Sequence, residues 1–303
     1  MTTSGPRQRE TDTPFGSSLP GLVRTLRPRQ WVKNVVVLAA PLAGGTLFEP
    51  RVLAAVGIAF VAFTLAASGV YLVNDVYDID ADRTHPTKCH RPIAAGLVSP
   101  RLALAVAVVL FVSAVEVSFL ASVELVLVTV VYLAVQLAYC WGLKHQPVVD
   151  ISIVVSGFVL RAIAGGAAAG IVLSQWFLLT TAFGALFMVA GKRYAELQLA
   201  KRTGARIRKS LERYTASYLR FVWTLSATGV IITYGLWAFQ LSQTNHSRWP
   251  VISLVPLALA ILRYAMEVDG GNGGEPEEII LNDRVLQVLS GGLLLTFIAA
   301  TYL

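Results

Sequence analysis

Charge is what this 303-residue sequence has least of. Asp, Glu, Lys and Arg together make up 14% of it, against about a quarter of a soluble domain. That deficit excludes an ordinary water-soluble globular protein, and 55% hydrophobic residues point to an integral membrane protein. Cysteine is also scarce: Cys89 and Cys140 are the two present, too few for a disulfide framework. Soluble phosphate cradles are missing as well. There is no GxxxxGKS/T, and no GxGxxG follows a strand.

What the sequence has instead is apolar runs. A helix needs roughly 20 mostly apolar residues to span a bilayer, and the sequence predicts nine such segments: 34–49, 52–73, 102–120, 122–143, 151–172, 174–190, 217–241, 250–267 and 285–302. The first is short and carries Pro41, Gly44 and Gly45. Residues 1–20 are polar and rich in Gly, Ser and Pro, with no apolar stretch of the signal-peptide kind. They are read as a disordered cytoplasmic tail, and 21–303 as a single transmembrane catalytic domain.

The net charge of +7 is explained by topology. With the N-terminus inside, 22 of the 25 lysines and arginines fall in cytoplasmic segments, as the positive-inside rule requires. The exceptions are Arg51, Arg248 and the intramembrane Arg161. No nucleic-acid partner is needed. An odd number of spans puts the C-terminus outside, in a plasma (inner) membrane. The two long charged loops, 74–101 and 191–216, are both cytoplasmic, so the chemistry is expected there.

The first loop opens with NDVYDIDADRTHPTKCHRP, residues 74–92. If the second span continues as an α-helix through residue 82, Asp75, Asp78 and Asp82 share one narrow face with Asn74 at its flank, and Asp80 points away. Carboxylates clustered beside a low-dielectric region repel one another unless a cation joins them. Mg²⁺ suits hard oxygen ligands and is usually held by one or two carboxylates plus substrate phosphates. An EF-hand beginning at Asp78 fails, because Arg83 stands where Gly is needed and Cys89 where Glu is needed. A zinc site from His85, Cys89 and His90 lacks a clear fourth ligand. Arg83, Lys88 and Arg91 follow directly and are expected to bind phosphates, so acid followed by base reads as a Mg²⁺–diphosphate site.

The run Asn74-Asp75-Val76-Tyr77-Asp78-Ile79-Asp80-Ala81-Asp82 resembles the NDxxDxxxD signature of the UbiA-type intramembrane prenyltransferases. Tyr139-Cys140-Trp141-Gly142-Leu143-Lys144 is similar to that family's Y-S-x-x-L-K element, with cysteine replacing serine. The resemblance covers essentially everything after the tail. It implies nine transmembrane helices around a cytoplasm-facing cavity. Most members carry a second acidic motif, DxxxD, in the second loop. Here that loop reads GKRYAELQLAKRTGARIRKSLERY, with Glu196 as its first acid and no DxxxD. That departure implies a donor other than the usual prenyl diphosphate. LRPRQWVKN (26–34), GKRYAEL and VVDISIVVSGFVLRAIAGG together resemble one branch, the decaprenyl-phosphate 5-phosphoribosyltransferases. It implies phosphoribosyl pyrophosphate as donor, decaprenyl phosphate as acceptor, Mg²⁺ as cofactor and a place in cell-wall arabinan synthesis. A homo-oligomer is compatible with the sequence. The alternative enzyme moves a polyprenyl group onto an aromatic or quinone acceptor; the non-enzymatic alternative carries lipid phosphate unchanged.

Site expectations follow. Asp75, Asp78 and Asp82 hold Mg²⁺ and are catalytic, with Asn74 orienting the bound group. Tyr139 and Lys144 join Arg83, Lys88 and Arg91 on the donor's phosphates. From the second loop, the resemblance implies that Lys192, Arg193, Tyr194 and Glu196 line the donor pocket. Arg27, Gln30, Lys33 and Asn34 recur at helical spacing and are expected to grip the lipid phosphate. Arg161 joins them, because a cation inside a span is costly and usually functional.

Overall fold

The computed structural model of the protein describes residues 21–203, 211–270 and 276–302; the expected tail and part of the basic run at 201–213 lie outside them. Among the described residues there is no strand. The chain forms helices α1 (Pro50–Tyr77), α2 (Pro100–Phe119), α3 (Val123–Trp141), α4 (Val149–Ala169), α5 (Gln175–Thr203), α6 (Ala216–Asn245), α7 (Leu254–Gly270) and α8 (Arg284–Tyr302). Their starts are written in the sequence. Pro50 and Pro100 sit in the first helical turn, where a missing N–H costs nothing. Ser99, Ser122 and Thr215 each accept the backbone N–H three residues on, satisfying donors that the helix leaves open.

Among the described residues, six helices are long and apolar enough to cross a membrane: α1, α2, α3, α4, α6 and the Trp249–Gly270 stretch that contains α7. Their outward faces are apolar, as at Val108, Val109 and Val112 on α2 and Leu225, Ile232 and Phe239 on α6, which suits lipid and not water. One core joins α1 to α4 through Phe63, Leu72, Leu125, Tyr132 and Ala164. A second joins α5, α6 and α7 through Phe187, Tyr194, Trp223 and Tyr264.

The first expected span, 34–49, is not one α-helix. Pro28–Leu38 is a 3-10 helix of 11 residues, followed by the five-residue α-helix Ala39–Ala43 and a turn at Gly44 and Gly45. Burial along it repeats every third residue. Arg29, Val32 and Val35 are exposed, Gln30, Lys33 and Val36 are half-buried, and Asn34 and Val37 are buried. Three residues per turn makes i and i+3 eclipse, so the expected α-helical spacing of Gln30, Lys33 and Asn34 is replaced by two separate faces. Gln30 and Lys33 share one; Asn34 lies on the other.

Long runs of 3-10 helix are unfavourable alone, and here α4 supplies the compensation. Gly165 admits the backbone of Val37 so closely that a Cβ there would lie 1.8 Å from the Val37 carbonyl oxygen. One turn earlier, Arg161 donates to the Asn34 side-chain oxygen at 2.7 Å. Gly165→Val should therefore eject the segment, lowering the thermal midpoint of the detergent-purified protein by the equivalent of about 1–3 kcal/mol or more. Gly184→Val, where an added Cβ meets nothing within 4 Å, should stay within about 0.5 kcal/mol of the parent.

Candidate active site

The acidic stretch emerges at the end of α1. The helix pauses at Asp78, whose backbone sits at φ −96°, ψ 6° between α1 and the short helix Ile79–Arg83. The expected unbroken helix is thus divided, and the three carboxylates split two and one. Asp75 and Asp82 are both 2% exposed and both bind Arg91: its Nη1 donates to Asp75 at 3.1 Å and to Asp82 at 2.7 Å. Arg27 donates to the same Asp75 oxygen at 2.5 Å. Asp78 turns instead to Lys144, whose ammonium also reaches the Asn74 side-chain oxygen at 3.4 Å. Asp80 is 95% exposed and lies 3.9 Å from Arg83, pointing away as the helical wheel implies.

Four separate segments supply these groups. Arg27 precedes the 3-10 helix in a left-handed conformation, φ 55°, ψ 62°, which a side chain with a Cβ adopts only at a cost. Its guanidinium also lies over the Tyr71 ring, 4.9 Å from the centroid. The Trp31 indole holds this segment to α1, donating to Ser68 at 3.1 Å, so Trp31 is a tether to protein. Arg91 comes from the loop after α1, and Lys144 from the 3-10 turn Leu143–His145 after α3. Cys140, for which the sequence suggested no role, lies with its thiol 4.0 Å from the Asn74 oxygen.

Among the described residues no three His, Cys, Asp or Glu side chains are arranged to hold a metal by themselves. Asp75 and Asp82 nevertheless converge on one guanidinium nitrogen. Two carboxylates aimed at one point, with phosphate oxygens to follow, match the donor set Mg²⁺ prefers, so the residues fit that ion. Basic side chains hold the acids in the meantime, keeping buried carboxylates from facing each other without a counter-charge.

Other expected residues fall elsewhere. Arg83 donates to the Ala94 carbonyl and is half exposed, away from Asp75. Lys88 stands on the 3-10 turn Lys88–His90. Tyr139 is half-buried near the end of α3, beside the Trp141 whose indole donates to Tyr77. Lys192 and Glu196 are half-buried on α5. Tyr194 departs from expectation. Its ring is 1% exposed and stacks on Trp223, while its hydroxyl meets Asp269, Gln198 and Arg220. One residue's rotation on α5 separates it from Arg193, and its ring belongs to the α5–α6–α7 core. Arg161 is 6% exposed and satisfied by neutral acceptors: Asn34, the Gly157 carbonyl at 2.7 Å and the Tyr132 hydroxyl at 3.1 Å. The Phe63, Tyr132 and Phe158 rings flank it. Sequence reasoning missed the partner of Arg193. It is Asp150, fully buried in the first turn of α4 and bonded also by the Tyr214 hydroxyl at 2.7 Å. An acid at the mouth of an apolar span was the available signal.

Eight packed helices and a convergent acidic–basic cluster at their loop end define an intramembrane enzyme-like bundle. The UbiA prenyltransferase family model matches residues 35–282, and the chain belongs to that family. It is 61% identical over 281 residues to a protein of Mycobacterium tuberculosis called decaprenyl-phosphate phosphoribosyltransferase, covering 91% of this chain and 93% of that one. A protein of the same name from Corynebacterium glutamicum is 56% identical over 289 residues, covering 93% and 87%. Among solved structures, a UbiA homolog from Archaeoglobus fulgidus bound to GPP and Mg²⁺ superposes with a TM-score of 0.70 at 17% identity, covering 93% of this chain and 98% of that chain; this likeness speaks to the fold.

Removing Arg91 should take the cation from buried Asp82 and leave Asp75 with Arg27 alone. Arg91→Ala is expected to cost on the order of 3 kcal/mol in thermal or denaturant unfolding. Adding Asp82→Asn should recover part of that loss, a coupling of about 1 kcal/mol or more in the double-mutant cycle.

Proposed function

We propose that this protein transfers 5-phosphoribose from phosphoribosyl pyrophosphate to decaprenyl phosphate, releasing pyrophosphate, with Mg²⁺ as cofactor and arabinan precursor synthesis as its setting. The observation that carries the reading is the 61% identity, along nine-tenths of the chain, to a protein bearing that name. The cluster supports it chemically: Asp75, Asp78 and Asp82 stand beside Arg27, Arg91 and Lys144, the charges a diphosphate and a lipid phosphate require.

Asp75 and Asp82, with Asp78 alongside, would hold the Mg²⁺, which would supply charge neutralisation to the diphosphate leaving group. Arg91 and Lys144 then exchange carboxylate partners for phosphate oxygens, with Lys88, Arg83 and Tyr139 at the rim and Asn74 orienting the group. Lys192 and Arg193 serve the ribose phosphate from α5, and Glu196 orients a ribose hydroxyl. Arg27, Gln30 and Lys33 present one side of the N-terminal segment to the lipid phosphate, while Asn34 and Arg161 fix that segment from behind. The C1–O bond to pyrophosphate breaks, pyrophosphate keeping the electron pair, and an oxygen of the lipid phosphate bonds C1 from the opposite face. The acceptor is already an anion, so no strong base is needed. Positioning and leaving-group stabilisation supply the rate.

The membrane arrangement belongs to the same reading: residues 21–303 form one catalytic unit of nine crossings, its cavity facing the cytoplasm. A 3-10 helix rises about 2 Å per residue, so Pro28–Leu38 with Ala39–Ala43 reaches about 30 Å, the hydrocarbon thickness. That segment supplies the first crossing. Helices α5 and α8 join the six apolar spans to complete the count. The N-terminus and site face the cytoplasm and the C-terminus lies outside the plasma membrane, supported by the basic loops.

Purified protein given phosphoribosyl pyrophosphate, decaprenyl phosphate and Mg²⁺ should yield equimolar lipid-linked phosphoribose and pyrophosphate. Asp75→Asn, or chelation of the metal, should reduce the rate at least about 100-fold. Absence of product from the parent, with turnover of a prenyl diphosphate onto an aromatic acceptor, would replace this reading with prenyl transfer.

A further inference from the structure

The second charged cluster lies at the mouth of α4, and its groups come from three places. Asp150, second residue of α4, is fully buried. One of its oxygens receives Arg193 of α5, and the other receives the Tyr214 hydroxyl at 2.7 Å and the Ile151 amide at 2.7 Å. Tyr214 lies just before α6, 5% exposed, its ring stacked on Tyr218 at 5.7 Å and its face under the Arg193 guanidinium at 5.9 Å. The phenol is pushed up to about 12, by burial first and by the bond to Asp150 second. It therefore stays a donor across the physiological range.

The same hydroxyl also accepts the Val148 backbone N–H at 2.6 Å. Val148 sits at φ 68°, ψ −50°, a strained region for any residue with a Cβ and worse for a β-branched one. Such strain persists only where surrounding contacts over-determine it. Between Trp141 and Val148 runs the short turn that carries Lys144, the cation on Asp78 and Asn74. Its ends are pinned by α3 on one side and by Tyr214 on the other. One tyrosine hydroxyl thus ties the turn bearing Lys144 to the carboxylate that aims Arg193.

We propose that Tyr214 and Asp150 form a positioning latch: they touch no reacting atom, and they hold Lys144 and Arg193 in register so that cations from both loops meet one phosphorylated donor. The latch rests on the activity proposed above for its kinetic readout only; its binding readout needs nothing more than a diphosphate. Of the two tethered cations, Lys144 serves the acidic stretch and Arg193 the α5 side. A donor with phosphates at both ends of a sugar presents charge to both. A slack turn would let Lys144 fall away from Asp78 while leaving the helices packed.

Tyr214→Phe tests this with little disturbance, since the ring and its stacking remain. Binding of pyrophosphate with Mg²⁺ to the purified protein, read by calorimetry, should weaken about 10-fold, and kcat/KM for phosphoribosyl pyrophosphate should fall about 10- to 100-fold. The KM for decaprenyl phosphate and the thermal midpoint should stay close to those of the parent. Asp150→Asn should weaken pyrophosphate binding more strongly, because Arg193 and the Tyr214 hydroxyl both lose the carboxylate that aims them. It should also lower the midpoint, because a buried pair is broken. Val148→Gly placed in the Tyr214→Phe background should restore at least about threefold of the lost binding, because glycine holds a positive φ without strain. Unchanged pyrophosphate binding in both single variants overturns the latch. So does, in Tyr214→Phe, a loss shared equally by both substrates with a lowered midpoint, or a lack of any rescue by glycine. If the parent forms no phosphoribosyl lipid yet binds pyrophosphate with this pattern, the activity reading fails and the latch stands.

Discussion

Two aspartates buried at the end of an apolar helix cannot remain charged without cations, and most of this structure's loop end is arranged by that need. Asp75 and Asp82 share Arg91, and Asp75 also takes Arg27. Breaking one partner of such a set costs several kcal/mol, because the remaining charge has no water to return to. Segments far apart in sequence are therefore drawn to one place: the stretch before the 3-10 helix, the loop after α1 and the turn after α3. The fold needs this clustering for its own electrostatic balance.

The segment carrying Arg27 illustrates how far that requirement reaches. It follows an unusual 3-10 path, with a residue at positive φ at its start. Its stability comes from neighbours: Gly165 lets the backbone close on α4, Arg161 bonds Asn34, and Trp31 bonds Ser68. Arg161 is thereby accounted for deep in the bundle by neutral acceptors and aromatic rings. A cation placed there seals a contact between elements.

Composition and pattern made much of this legible. The apolar runs identify the helices because a backbone in lipid must satisfy its own hydrogen bonds. The NDVYDIDAD stretch announced itself because carboxylates are expensive beside a membrane. The break at Asp78, the division of the three carboxylates and the exposed position of Arg83 were not legible, since a helical wheel assumes an unbroken axis. The packing of Tyr194 was not legible for a related reason. On an α-helix adjacent residues face about 100° apart, and which side meets the core depends on α6 and α7. Asp150 and Tyr214 sit 64 residues apart, and nothing local to either announces the other.

The sequence by itself determined the class of environment, the helical character of the apolar segments, and the type of charge gathered at one end. These are sums over local composition, and local composition sets whether a stretch prefers lipid or water. Only the tertiary structure decided which cation answers which carboxylate, that the N-terminal segment winds with three residues per turn, and that a tyrosine before α6 holds the turn after α3. Each of those depends on distances between segments remote in the chain. Pairing energies fall off within a few ångströms, so they are settled by packing and not by pattern.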